Sequence, residues 1–137
     1  MKKNISVLYP KEEFTSEQLL KLGLAGQVSF IDSDGDKSLK DLIKLSRDAD
    51  VIAFSPDKIG NHASEWLSEI LEASPKVKGL ALNTVHADYV NEEYCKEHGI
   101  KVTNVPDCTT QAVAEHILAL LLSTAKRIII NDRRTYQ

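Results

Sequence analysis

The sequence predicts an α/β domain: a doubly wound parallel sheet followed by a long apolar C-terminal helix. Five short apolar runs rich in β-formers, NISVLY, QVSFI, DVIAFS, VKGLAL and KVTNV, recur along the chain with an amphipathic stretch between successive runs. Alternation of this kind implies right-handed crossovers, which make the strands parallel and place helices on both faces of the sheet. From Ala112 to Leu122 only Glu115 and His116 interrupt alanine, valine, isoleucine and leucine, so that helix is apolar nearly all round.

Each element carries its own punctuation. The opening MKKNISVLYPKEE has too short an apolar stretch before Pro10 for a signal-peptide core and reads as the first strand. Thr15 and Gln18 form a capping-box pattern ahead of Leu19, Leu20 and Leu22, with Gly23 as the expected helix stop. Ser38 can cap a second helix carrying Leu39, Leu42, Ile43 and Ala49 near helical spacing. The third includes Trp66, Leu67, Ile70 and Leu71 and must end before Pro75, with Trp66 read as core. A short polar helix from Asn91 to His98 closes at Gly99, and a strand from Lys101 to Asn104 follows. A proline-containing loop then leads to the last helix, for which Thr109 and Thr110 are candidate N-caps. No internal repeat or low-complexity segment interrupts this order, and a flavodoxin-like strand order accounts for it. The expected division is 1–109 for the sheet domain and 110–137 for a connecting and dimerisation helix.

Bulk properties narrow the function. At 137 residues, the chain can bury one core but is too short for a second, complete nucleotide-binding domain. A net charge of -3 with 27% charged residues gives no basic excess for nucleic acid or an anionic membrane. The longest apolar run, Ile117 to Leu122, falls well short of the roughly 20 residues a membrane span needs. Cys95 and Cys108, with no export signal, read as reduced thiols of a cytoplasmic protein, ahead of a disulfide between them.

Several chemistries lack their residues. No two of the six glycines have the G-x-G spacing of a dinucleotide fingerprint, and no P-loop is present. The stretch YPKEEFTS after the first strand is no phosphate loop for FMN. Asp32, Asp34 and Asp36 imitate a calcium loop, but Lys37 stands at the turn-glycine position and Ile43 at the twelfth, so a solvated turn is the expectation. Cys95 and His98 could supply half a zinc site with no second pair of matching spacing, and no metal is expected. His116 reads as a helix-surface or interface residue. Asp107 beside Cys108 would raise that thiol's pKa rather than activate it. Asp57 after the third strand suggests a phosphoacceptor, but the acidic cluster and lysine that such a receiver needs are missing.

The segment LNTVHADYVNEEYCKEHGIKVTNVP, followed by VAEH, resembles the NAD-dependent D-isomer-specific 2-hydroxyacid dehydrogenases. Similarity is densest from Leu80 to about Arg127. The resemblance implies the substrate-binding half of such an enzyme, in which backbone amides of the loop after a strand hold the substrate carboxylate. By position, that loop is Thr84, Val85 and His86, with Val85 also near the cofactor. Cys108 falls near the substrate, Val113 falls near the nicotinamide side, and Asp88 has a role in loop structure. His86 stands where the family usually has glycine, so a side chain there is expected to crowd the ligand and to strain any positive φ.

The family's catalytic arginine, glutamate and histidine have no counterpart in these residues. The expected parent activity is NAD-dependent interconversion of a 2-hydroxy acid and a 2-keto acid, with the present chain shortened, inactive alone and binding no cofactor. The expected partners are a weakly held small hydroxy or keto acid and a second copy paired through Thr110 to Arg127. The alternative is a free-standing interaction module that dimerises through the same helix.

Overall fold

The computed structural model describes residues 2–31, 38–59, 62–107, 109–127, 132 and 134. The DSDGD segment and Cys108 therefore lie outside the described residues. The chain divides into two units, Met1–Val105 and Pro106–Gln137.

The first unit is a five-stranded parallel sheet formed by β1 (Lys3–Pro10), β2 (Gly26–Ile31), β3 (Val51–Phe54), β4 (Gly79–Leu82) and β5 (Lys101–Thr103). Its order, β2-β1-β3-β4-β5, is the flavodoxin-like one expected from the sequence. Helices α1 (Ser16–Ala25), α2 (Leu39–Ser46), α3 (Ala63–Glu72) and α4 (Glu92–Glu97) make the crossovers. The chain steps from β1 to β2 in one direction and from β2 through β5 in the other. Right-handed crossovers therefore place α1 on one face and α2, α3 and α4 on the opposite face.

Packing follows the strand period of two. Leu8, Ile52, Phe54, Leu80 and Leu82 share one face and join Leu42 of α2, Leu67, Ile70 and Leu71 of α3, and Cys95 of α4 in a single buried cluster. Trp66 is half-buried against that cluster, in agreement with a core role. On the other face Val7 is buried, while Val51, Ala53, Gly79 and Ala81 remain half-exposed.

Asp50 ties the amino ends of β3 and β4 to β1. Its Oδ2 accepts the Asn4 N–H at 2.8 Å, its own N–H donates to the Asn4 carbonyl at 2.8 Å, and its carbonyl accepts the Lys78 N–H at 2.9 Å. β3 and β4 run in step from Val51 opposite Gly79 to Phe54 opposite Leu82, so their carboxyl ends lie side by side, where the connecting loops collect.

The caps largely follow their sequence signals. Thr15 and Gln18 form the capping box, Ser38 accepts the Asp41 N–H, and Asn91 accepts the Tyr94 N–H. Gly99 takes a φ of 65° beyond α4, the left-handed cap that glycine adopts without Cβ strain. Gly23 differs from expectation: α1 runs through it to Ala25, and β2 begins at once with Gly26. The helix ends there because residue 26 must enter the sheet beside Lys3, where any Cβ would collide with the Lys3 carbonyl oxygen.

The second unit contains α5 (Thr110–Ala125). Thr109 occupies the N-cap position without a side-chain cap bond, and the Thr110 hydroxyl approaches the Asp107 carboxylate at 3.4 Å. Val113, Ile117, Leu118, Leu120, Leu121 and Leu122 are each between 48% and 60% exposed.

The two glycines of the α1–β2 junction should respond oppositely to alanine. Gly23→Ala has open space around the new Cβ and should raise stability by about 0.5–1 kcal/mol through the helix term. Gly26→Ala should lower it by about 1–3 kcal/mol through overpacking against backbone. Urea unfolding of both variants beside the parent measures the contrast.

Candidate anion-binding loop at the carboxyl edge

Between Leu82 at the end of β4 and Asn91 at the cap of α4, the chain crosses the carboxyl edge of the sheet through Asn83, Thr84, Val85, His86, Ala87, Asp88, Tyr89 and Val90. The carbonyls of four consecutive residues in this loop are all held. Thr84 O accepts the Val105 N–H at 3.0 Å, and Val85 O accepts Nδ2 of Asn104 at 2.6 Å. His86 O accepts the Thr84 hydroxyl at 2.8 Å, and Ala87 O accepts the Val90 N–H at 2.9 Å.

A trans peptide is planar, and its C=O and N–H point in opposite directions. Holding the carbonyls of Thr84, Val85, His86 and Ala87 therefore also sets the N–H groups of Val85, His86, Ala87 and Asp88. Among the described residues these four N–H groups donate to no protein acceptor. Successive unpaired amides at the carboxyl end of a parallel strand make a concavity of positive partial charge suited to a small anion.

Tyr89 anchors the loop to the core. Its ring lies 5.9 Å from that of Phe54, which is fully buried, and its hydroxyl is 2.8 Å from the Thr84 Oγ1. The single Thr84 proton already goes to His86 O, so the Tyr89 O–H is the donor in that contact. Burial pushes the Tyr89 phenol above its ordinary value, and the Asp57 charge adds to the effect.

The residues expected at the site are only partly gathered. Thr84 and Val85 are half-buried in the loop, and His86 is exposed. Cys108 lies outside the described residues, and Val113 belongs to α5 in the second unit. His86 does not have a positive φ, so the expected backbone strain is absent and only the bulk of its side chain distinguishes it from glycine. The Asp88 carboxylate accepts no hydrogen bond among the described residues, and the stitching expected of it is done by Tyr89 and Asn104. Asn104 stands in the V-x-N-x-P signature, which could have pointed to it. Tyr89 has no such signal, because its role depends on Phe54 and Thr84 meeting it in space.

Cys95 and His98 are separated in their surroundings. Cys95 is buried, and that burial raises its thiol pKa, whereas exposed His98 stacks on Tyr94 at 4.0 Å. Among the described residues, no three His, Cys, Asp or Glu side chains form a metal cluster. No described helix is long and apolar enough to cross a membrane.

Residues 8–129 match the family described as D-isomer specific 2-hydroxyacid dehydrogenase, catalytic domain. A glyoxylate reductase of Thermococcus kodakarensis is 35% identical over 95 residues, which are 69% of this chain and 26% of that protein. A 2-hydroxyacid dehydrogenase structure from Ketogulonicigenium vulgare is similar with a TM-score of 0.68 and 26% identity, covering 94% of this chain and 37% of that one. So is an NADPH-dependent glyoxylate/hydroxypyruvate reductase of Sinorhizobium meliloti in complex with NADP and malonate, with a TM-score of 0.57 and 26% identity over 90% of this chain and 34% of that one. The chain spans less than a third of the length of the curated relatives it matches.

Burial also raises the pKa of Tyr9 and of Tyr94, as it does that of Tyr89. A raised folded-state pKa favours the protonated native form, so this contribution is complete below the unfolded value of about 10 and declines as pH rises through the folded values. With the raised Cys95 thiol included, stability measured by urea unfolding should therefore be flat through neutral pH and fall from about pH 8.5 upward, more steeply above about pH 10. The phenolate absorbance of Tyr9, Tyr89 and Tyr94 should appear at higher pH in the folded chain than in urea.

Proposed function

Because the chain belongs to the D-isomer specific 2-hydroxyacid dehydrogenase family, matching its catalytic domain, we propose that it is the substrate-holding half of an NAD-dependent enzyme that interconverts a 2-hydroxy acid and a 2-keto acid. The observation that supports this reading is the run of amides at Val85, His86, Ala87 and Asp88, fixed by their peptide carbonyls and free to receive a carboxylate. Thr84 supports that run through its side chain. Cys108 is assigned to the substrate's surroundings, Val85 to the neighbourhood of the cofactor, and Val113 to its nicotinamide side.

In the whole enzyme, NAD supplies the hydride chemistry. The residues of this chain do not fit its diphosphate. The turn after β1 presents Glu12 and Glu13, and no G-x-G turn leads from a strand into a helix anywhere in the 137 residues. The role assigned to this chain is to bind and orient the acid. A cytoplasmic setting goes with the reading of Cys95 and Cys108 as reduced thiols.

The partner is proposed to be a second copy, joined through the helix from Thr110 to about Arg127. Leu118 and Leu122 are 57% and 48% exposed, and burying a leucine contributes about 1.5–3 kcal/mol. A two-fold pairing of this helix is the simplest closed arrangement.

Three measurements test these assignments. Malonate added to the isotope-labelled chain should move the amide resonances of Val85, His86 and Ala87, and an unmoved loop at tens of millimolar, roughly the limit for a weak site, would overturn the reading. The 137-residue chain should not oxidise NADH with glyoxylate, pyruvate or hydroxypyruvate, and turnover lost on mutation of this chain would contradict the assigned half-role. Light scattering should report a dimer that Leu118→Glu dissociates while the sheet's circular dichroism persists. A parent monomer would remove the interface.

A further inference from the structure

We propose that Tyr89 is a positioning residue for the anion-binding loop, acting through the Thr84 hydroxyl on the peptide between His86 and Ala87. The proposal rests on the reading of this loop as the carboxylate holder and adds to it the side chains that aim the donors. Of the four loop peptides, those with carbonyls on Thr84 and Ala87 are held by backbone N–H groups, which every residue except proline supplies. The other two depend on side chains. Val85 O is held by Asn104, and His86 O is held by Thr84. Asn104 thus aims the His86 N–H, and Thr84 aims the Ala87 N–H.

A threonine hydroxyl on a loop can turn to several acceptors, including water. Here one contact selects its direction. Tyr89 donates to Thr84 Oγ1 at 2.8 Å and occupies the lone pair that would otherwise take a proton from elsewhere, leaving the Thr84 proton directed at His86 O, also at 2.8 Å. The Tyr89 ring is in turn fixed beside Phe54. The path from the core to the Ala87 amide is continuous, running through Phe54, Tyr89, Thr84 and the His86 carbonyl. Fixed donor dipoles bind an anion better than mobile ones because less ordering remains to be done on binding. The Thr84 side chain accordingly acts on the backbone rather than on the ligand.

Malonate is titrated into four isotope-labelled proteins: the parent chain, Tyr89→Phe, Thr84→Val and Thr84→Ser. Tyr89→Phe retains the ring against Phe54 and removes only the hydroxyl. Thr84→Val retains the shape and removes the donor, and Thr84→Ser restores it. The expected result is affinity weakened roughly three- to tenfold in Tyr89→Phe and at least as much in Thr84→Val, with near-parent affinity in Thr84→Ser. The response of the Ala87 amide should be lost first, while the unfolding midpoint of Tyr89→Phe stays near that of the parent. Equal affinity in all four proteins, with the parent responding at the loop, would overturn the relay and leave the carboxylate reading standing. No response in the parent would overturn both. Weakening spread evenly over the amides with a lowered midpoint would show a structural role and overturn the positioning assignment.

Discussion

Burial of one sheet face is the constraint on which the rest of the first unit depends. Ile52, Phe54, Leu80 and Leu82 on adjacent parallel strands pack against α2, α3 and α4, and the leading members of this group have no exposed surface. At about 1.5–3 kcal/mol for each large apolar side chain, this face outweighs any polar contact on the surface. Because side chains alternate along a strand, a one-residue slip of β3 against β4 would put Ile52 and Phe54 on the opposite face from Leu80 and Leu82. The register is therefore determined, and with it the level at which the strands end.

That level determines what the β4–α4 loop can do. Leaving β4 beside the buried end of β3, the loop finds Phe54 for Tyr89 to pack against and Asn104 and Val105, just beyond β5, to hold its first two carbonyls. The chemistry of the loop is mostly backbone chemistry. His86 does not have a positive φ, so its side chain brings no backbone strain to the loop.

The second unit presents a different balance. Helix α5 displays apolar residues around its circumference, and Val113, Ile117, Leu118, Leu120, Leu121 and Leu122 are exposed to a similar degree. Thirty-two residues, Pro106–Gln137, offer too little chain to bury such a helix within the unit.

The sequence by itself determined the element order, the parallel topology, most of the helix caps and the family signature. These rest on local periodicity, capping chemistry and motif spacing, all of which act within a few residues. The family resemblance directed attention to Thr84, Val85 and His86, between β4 and α4. What the sequence misplaced or missed depends on neighbours distant in the chain. Gly23 looked like a helix stop until β2 was seen to begin only where Gly26 meets Lys3, and Tyr89 carried no signal because its place depends on Phe54. Only the tertiary structure decided which carbonyls are held, because those bonds join Asn104 to Val85, 19 residues apart, and Val105 to Thr84, and no local pattern encodes a meeting between two strand ends.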